Sequence, residues 1–261
     1  TSEIKAEVGQ GVIKFKTDKA VGSTISMEIF VYDGLDDDGD VKDANPEEGT
    51  NISFEGATKK AIVQQKVYLT ITSPEITIRG DVNYLTIVGQ EIKDIDVSGA
   101  SKLTTLRVNE NPLTTLDLSN NAALTEVWAT ACSDLTSVKL APASALMTLS
   151  LQGTQVAKLN LSQAQFLRTL HVGDNPNLTT IDLSQLTELE ELWINGNGIE
   201  ALDLTNNTNL TTLECSRNLL TTLNLSGKSD LNYVSCWCNK LKGEGLNALI
   251  QSLTKETEDD E

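Results

Sequence analysis

The 261-residue chain is short of basic residues, with 20 Lys and Arg against 37 Asp and Glu and a formal net charge of -17 at pH 7. This excess of negative charge repels phosphate backbones and anionic membrane surfaces, so we expect no nucleic-acid partner. No run approaches the ~18 apolar residues of a membrane span, and no basic stretch followed by an apolar one marks a secretory signal. We therefore expect no membrane span in this chain.

Cysteine is also scarce, and the four cysteines are Cys132, Cys215, Cys236 and Cys238. They are too few and too widely spread for a disulfide framework. Their spacing does not repeat as the two pairs of a zinc site would. The sequence therefore predicts neither a disulfide scaffold nor a zinc centre.

Internal repetition is the strongest feature of the chain. Apolar residues stand at the first, fourth and sixth positions of each unit, as in Leu103, Leu106 and Val108, which is the alternation of a strand with one buried side. Successive units are 21 or 22 residues apart and predict eight coils, which start at Val82, Leu103, Leu124, Leu146, Leu167, Leu189, Leu210 and Leu231.

The ninth position of each unit favours asparagine, whose side-chain amide can turn inward and hydrogen-bond the backbone of the bend. The column reads Gln90, Asn111, Cys132, Thr154, Asn175, Asn197, Asn218 and Asn239. A second apolar triplet follows, and its Thr, Ser, Asn and Asp content favours extended or turn-like backbone on the far side. The coils are therefore predicted to be thin and rich in strand on both sides.

The pattern Leu-x-x-Leu-x-Leu-x-x-Asn-x-Leu resembles the leucine-rich-repeat family. The phrase at residues 210 to 226 is similar to internalin-type and Bacteroidetes surface repeats of bacteria. The resemblance spans about residues 76 to 241 and implies a right-handed, mainly β or α/β solenoid with an interaction surface. It also implies that Cys215 and Cys236, at the sixth position, replace buried leucines; we expect free thiols there, with a disulfide between them as the alternative.

The two ends of the array differ from its repeats, because a solenoid must cover its terminal apolar edges. Residues 1 to 65 contain alternating strand-like runs and are predicted to form a small β module that caps the first coil, similar to the modules that precede repeats in Bacteroidetes surface proteins. The solenoid is assigned to residues 66 to 241. Residues 242 to 261 are assigned to a capping helix and an acidic tail, with Leu246, Leu249, Ile250 and Leu253 at helical spacing.

The outward positions of the strands carry the unusual side chains. The fifth position is flanked by inward residues and must face the solvent on the concave sheet; it holds Arg107, Trp128, His171 and Trp193, among smaller residues. Exposed aromatics mark interaction sites more often than they arise by accident. The alternative is that these rings only support sheet packing. The predicted ligand-binding residues are Tyr84, Arg107, Trp128, His171, Trp193, Tyr233 and Trp237.

Catalysis and metal binding are not predicted. Ser150 and His171 occupy neighbouring coils with Asp174 nearby in sequence, but a flat open sheet gives the serine no elbow, pocket or oxyanion donor. The acidic stretch at residues 33 to 43 does not fit an EF-hand loop, because its first and twelfth positions would be Gly34 and Asn45. It is interpreted as a solvated loop, with an irregular calcium site as the alternative. We expect no cofactor.

These features together predict a non-enzymatic binding protein of a bacterium, extracellular or at the cell surface. The chain begins Thr1-Ser2-Glu3, which we interpret as a trimmed product whose targeting segment, either a signal or a lipid-anchored segment, has been removed. The expected partner is a protein on a host or neighbouring cell, bound on the concave face in the manner of an adhesin or internalin. The alternative is a carbohydrate-binding module in which Trp128, Trp193 and Trp237 stack on sugar rings.

Overall fold

The computed structural model describes residues 10–35, 41–44 and 52–253. These residues form 18 strands and one helix: β1 (Val12–Thr17), β2 (Thr24–Leu35), β3 (Val41–Ala44), β4 (Ser53–Glu55), β5 (Ala57–Val63), β6 (Lys66–Ile71), β7 (Glu75–Arg79), β8 (Val82–Thr86), β9 (Ile92–Gly99), β10 (Thr105–Arg107), β11 (Thr115–Asp117), β12 (Glu126–Trp128), β13 (Ser137–Lys139), β14 (Thr148–Ser150), β15 (Thr169–His171), β16 (Glu191–Trp193), β17 (Thr212–Glu214), β18 (Tyr233–Ser235) and α1 (Glu244–Ser252).

A parallel sheet contains one strand from each predicted repeat. Its eight strands, in the order β8-β10-β12-β14-β15-β16-β17-β18, make seven parallel pairings, so the chain makes about seven turns. The register places equivalent repeat positions side by side, as in Leu106 beside Val127 and Leu149 beside Leu170. These inward residues are fully buried. The chain is therefore a leucine-rich-repeat solenoid of mainly β structure, as the sequence predicts.

Asparagines of the ninth position hold successive turns together. The buried side-chain amide of Asn175 donates to the carbonyl oxygens of Leu151 (3.0 Å) and Val172 (2.8 Å), and its Oδ1 accepts the backbone N–H of Thr154 at 3.1 Å. Where Cys132 replaces asparagine in this column, its thiol donates to the carbonyl of Val108 at 3.2 Å and so makes one of the hydrogen bonds that an asparagine amide would make. The column thus satisfies backbone groups that the bend removes from the sheet ladder.

The eighth position of every repeat has a left-handed backbone. Its φ lies between 51° and 70° at Gly89, Glu110, Ala131, Gly153, Asp174, Gly196, Arg217 and Cys238. The sequence does not reveal this column, because only three of the eight residues are glycine, the residue that adopts such angles without cost.

The N-terminal strands cover both open edges of the first coil. β2 pairs antiparallel with β8, and β1 pairs antiparallel with β9, the far-side strand of the same coil. The hairpin of β5 and β6 extends the sheet beyond β2. All of these pairings are antiparallel, and parallel pairing begins at β8. Strands β6 and β7, which lie beyond the expected module boundary at residue 65, pair with these N-terminal strands as well.

The far side of the solenoid contains less strand than predicted. In the described chain, far-side strands are found only in the first three coils, as β9, β11 and β13. The later coils use turns in which an Asp or Asn side chain accepts the N–H two residues on, as Asp182 does from Ser184 (3.0 Å) and Asp203 from Thr205 (2.9 Å). The first two coils contain the same hydrogen bond, from Ser98 to Asp96 (2.9 Å) and from Ser119 to Asp117 (3.0 Å), alongside their strand pairing. The later coils keep the turn without the pairing, so the expectation of strands on both sides is wrong for those coils.

The C-terminal helix is present, but it leaves the last coil partly open. Of its predicted apolar residues only Leu249 is buried, whereas Leu246, Ile250 and Leu253 are exposed. The helix packs against the far side of the coil before: Gly245 lies against the Thr221 carbonyl, and Ser252 Oγ accepts the N–H of Leu225 at 2.9 Å. Within the described residues β18 pairs only with β17, and the helix covers the last coil only in part.

Candidate binding surface

The open face of the parallel sheet, which carries the third, fifth and seventh repeat positions, contains a continuous aromatic strip of Trp128, His171 and Trp193. The His171 ring stacks on Trp193 with centroids 4.7 Å apart and meets Trp128 edge-on at 5.9 Å. Ser150 lies between Trp128 and His171 in the register and is only 1% exposed. Its small side chain leaves room for the two rings to meet above it.

Arg107 and Glu126 fix the end of this strip. The Arg107 guanidinium pairs with the Glu126 carboxylate, and its central carbon lies 5.8 Å from the centre of the Trp128 ring. The indole N–H of Trp128 donates to the same carboxylate oxygen at 2.6 Å. One carboxylate therefore orients both an arginine and a tryptophan, which restricts the rotation of the ring.

Trp193, Tyr233 and Trp237 line a pocket of about 600 Å³ at the C-terminal end of the open face, here called the C-terminal pocket. Tyr233 is 50% exposed and Trp237 is 59% exposed, because the strand β18 has no neighbour on its outer side among the described residues. Five of the seven predicted residues thus form two adjoining groups, the strip and the pocket, which share Trp193. Arg107 adjoins the strip.

Tyr84 is the predicted residue that stands apart. It lies on β8 at the N-terminal end of the sheet, and its ring packs edge-on against Phe30 of β2, with centroids 5.1 Å apart. Its side chain supports the junction between the N-terminal module and the first coil.

Three carboxylates on the open face were missed by the sequence reasoning: Glu126, Glu191 and Glu214. The Nε2 atom of His171 lies 3.0 Å from Glu191 Oε1. Burial alone would raise the pKa of Glu214, but hydrogen bonds from Ser216, Ser235 and Tyr233 outweigh it and lower the pKa. The signal for these residues was in the sequence, because all three occupy outward third or fifth positions.

The geometry gives no support to a serine nucleophile. Ser150 Oγ lies 2.8 Å from the hydroxyl of Thr130, and the imidazole that a triad would need contacts Glu191 instead.

Over the described residues, no group of three or more His, Cys, Asp and Glu side chains is placed to hold a metal ion. The side chains of the acidic stretch at residues 33 to 43, on which the calcium alternative depends, lie outside the described residues. The one helix among the described residues, α1, is too short to cross a bilayer.

All four cysteines are free thiols. Cys215 is buried as expected, and desolvation raises its pKa to about 12. Cys236 is only half-buried, which differs from the prediction because it belongs to the coil that the helix leaves partly open. Cys132 is buried within the asparagine column, and Cys238 is exposed.

No family model and no characterised protein sequence matches the chain. Among solved structures, the functional domain of InlJ from Listeria monocytogenes, which includes a cysteine ladder, is 24% identical, with 70% of this chain and 46% of that chain covered and a TM-score of 0.48. The internalin InlF from Listeria monocytogenes is 18% identical (64% and 64% covered, TM-score 0.38). The LRIM1/APL1C complex gives 21% identity (64% and 36%, TM-score 0.45). This chain spans less than two thirds of the length of each.

Proposed function

We propose that the open face of the parallel sheet binds a protein partner and that the chain is a non-enzymatic binding module of an extracellular or cell-surface protein. The observation that carries this proposal is the aromatic strip. Trp128, His171 and Trp193 form a row of touching rings on a sheet whose other outward residues are mostly small and polar. Rigid aromatic groups held by their neighbours lose little entropy on binding and dominate protein interfaces.

A carbohydrate partner fits the strip less well. Sugar rings stack on a free aromatic face, whereas one face of Trp193 is covered by His171, and the indole N–H of Trp128 already donates to Glu126. The internalins and the LRIM1/APL1C complex among the similar structures do not identify a partner for this chain, since they share only its fold. We therefore place the protein partner first and make glycan binding an outcome of the test.

The experiment compares the unmodified protein with the double variant Trp128→Ser/Trp193→Ser on arrays of purified cell-surface proteins and of glycans. Phe166→Ser is the matched control, because Phe166 is an exposed aromatic in a turn away from the open face. Far-UV circular dichroism checks that each variant remains folded. We expect protein partners whose binding the double variant loses and the control keeps. Binding to glycans alone, or protein binding unaffected by the double variant, contradicts the proposal.

A further inference from the structure

The C-terminal pocket combines aromatic walls with negative charge. Trp193, Tyr233 and Trp237 supply three aromatic side chains, and Glu191 and Glu214 supply two carboxylates. The faces of aromatic rings carry partial negative charge, so a pocket of this composition attracts cations through both its rings and its carboxylates.

Glu214 is held in its ionised form by its neighbours. Its Oε1 atom accepts the backbone N–H of Ser216 at 3.1 Å as well as the Ser216 hydroxyl, and the Tyr233 hydroxyl lies 3.4 Å from Oε2. Hydrogen bonds to a carboxylate favour its charged form. The negative charge at this wall therefore persists without a cation in the pocket.

The one cation among the residues that line the pocket already has a partner outside the lining. Arg217 pairs with Asp174 at 2.9 Å across two coils, over Gly196. A side chain at Gly196 would lie 2.4 Å from the Asp174 carboxylate, so glycine is required for the bridge to form. Arg217 is thus held by Asp174 and does not neutralise Glu191 and Glu214.

We propose that the C-terminal pocket binds the side chain of a lysine or arginine presented by a basic segment of the protein partner. This inference rests on the proposed function, because the pocket adjoins the aromatic strip and shares Trp193 with it. The net charge of -17 adds long-range attraction for a basic partner and raises the rate of encounter at low salt. Neutral ligands gain less, since they would cover two charged carboxylates without compensating them.

The test is a selection of random displayed peptides on the immobilised protein, followed by affinity measurements on the enriched peptides. Each peptide is measured with the unmodified protein, with Trp128→Ser/Trp193→Ser and with Glu191→Gln/Glu214→Gln. The control Glu188→Gln/Glu200→Gln removes the same charge from exposed positions that do not line the pocket. Peptides with each Lys or Arg replaced by Gln identify the side chain that enters.

We expect enriched peptides to be rich in Lys or Arg and to lose at least about tenfold in affinity with Glu191→Gln/Glu214→Gln, and less than about twofold with the control. Peptides that need Trp128 and Trp193 but are neutral or acidic, or that bind the Gln variant unchanged, overturn the basic-side-chain proposal and leave the proposed function standing. If no selected peptide depends on Trp128 and Trp193, the proposed function fails as well.

Discussion

Replacing Asn175 with alanine tests how the asparagine column stabilises the solenoid. Asn175 is fully buried. Without its side chain, the Val172 carbonyl keeps the amide of Asn197 (3.0 Å) as a donor, and the Gly173 carbonyl keeps the N–H of Gly153 (2.9 Å). The Leu151 carbonyl and the Thr154 N–H lose the side-chain contacts that satisfy them.

The expected cost follows from these two backbone groups. An unsatisfied buried polar group costs about 1–3 kcal/mol, so Asn175→Ala should lower the free energy of unfolding by about 4 kcal/mol. Asn239→Ala is the control, because Asn239 makes the equivalent donor contacts, to the Cys215 and Cys236 carbonyls at 2.9 Å each, and accepts the Leu220 N–H at 3.0 Å, but is only half-buried. Water can replace its amide, so we expect a cost of about 1 kcal/mol.

The assay is urea unfolding followed by both circular dichroism and tryptophan fluorescence, since a two-state analysis requires the two transitions to coincide. Equal costs for Asn175→Ala and Asn239→Ala would refute the reasoning, because burial of the asparagine hydrogen bonds would then add nothing to their contribution to stability. A loss of less than about 1 kcal/mol in the free energy of unfolding of Asn175→Ala would also refute the reasoning.

Three further predictions concern single columns of the repeat. Ala131→Gly relieves an exposed left-handed alanine (φ 57°) and should raise the free energy of unfolding by about 0.5–1 kcal/mol in the same urea assay, where a decrease would contradict it. Turn hydrogen bonds lower the pKa of Asp182 and Asp203, so the stability that these carboxylates add is complete above their ordinary pKa and is lost as pH falls through the lowered pKa. The variant Asp182→Asn/Asp203→Asn should therefore lose less stability than the unmodified protein when the pH falls below about 4. An equal loss would count against this explanation. Asp174→Asn leaves Arg217, which lines the C-terminal pocket, without its carboxylate partner and should weaken binding of basic peptides several-fold by isothermal titration calorimetry, because an unpaired positive charge then stands in the pocket wall; unchanged or tighter binding would contradict this.

The fold could be predicted from the sequence because each repeat has the same pattern of inward-facing apolar residues. A shift by one residue would turn Leu106, Val108 and their equivalents toward solvent, so the register of the parallel strands was determined by the alternation alone. The asparagine column followed from the same alignment, since a polar residue at a fixed position beside buried leucines needs backbone partners.

The site was only partly predictable, because it depends on contacts between repeats. The alignment showed that Trp128 and His171 face outward, but not that their rings meet above Ser150. The sequence alone does not distinguish Glu191 and Glu214 from carboxylates that are solvated on a sheet surface; they meet aromatic walls only because three coils stack. The sequence also does not predict that the helix leaves the last coil partly open. Helical spacing of apolar residues shows that a helix has an apolar side, but it does not show where that side packs.

The most direct test of binding at the open face is hydrogen exchange of the chain with and without a protein partner recovered from the array. The aromatic strip and the C-terminal pocket predict that backbone amides of β12, β15, β16 and β18 exchange more slowly in the complex. The far-side strands β11 and β13 should then exchange as they do in the free chain. Protection of β11 and β13 with unchanged exchange along the open face would contradict the proposal.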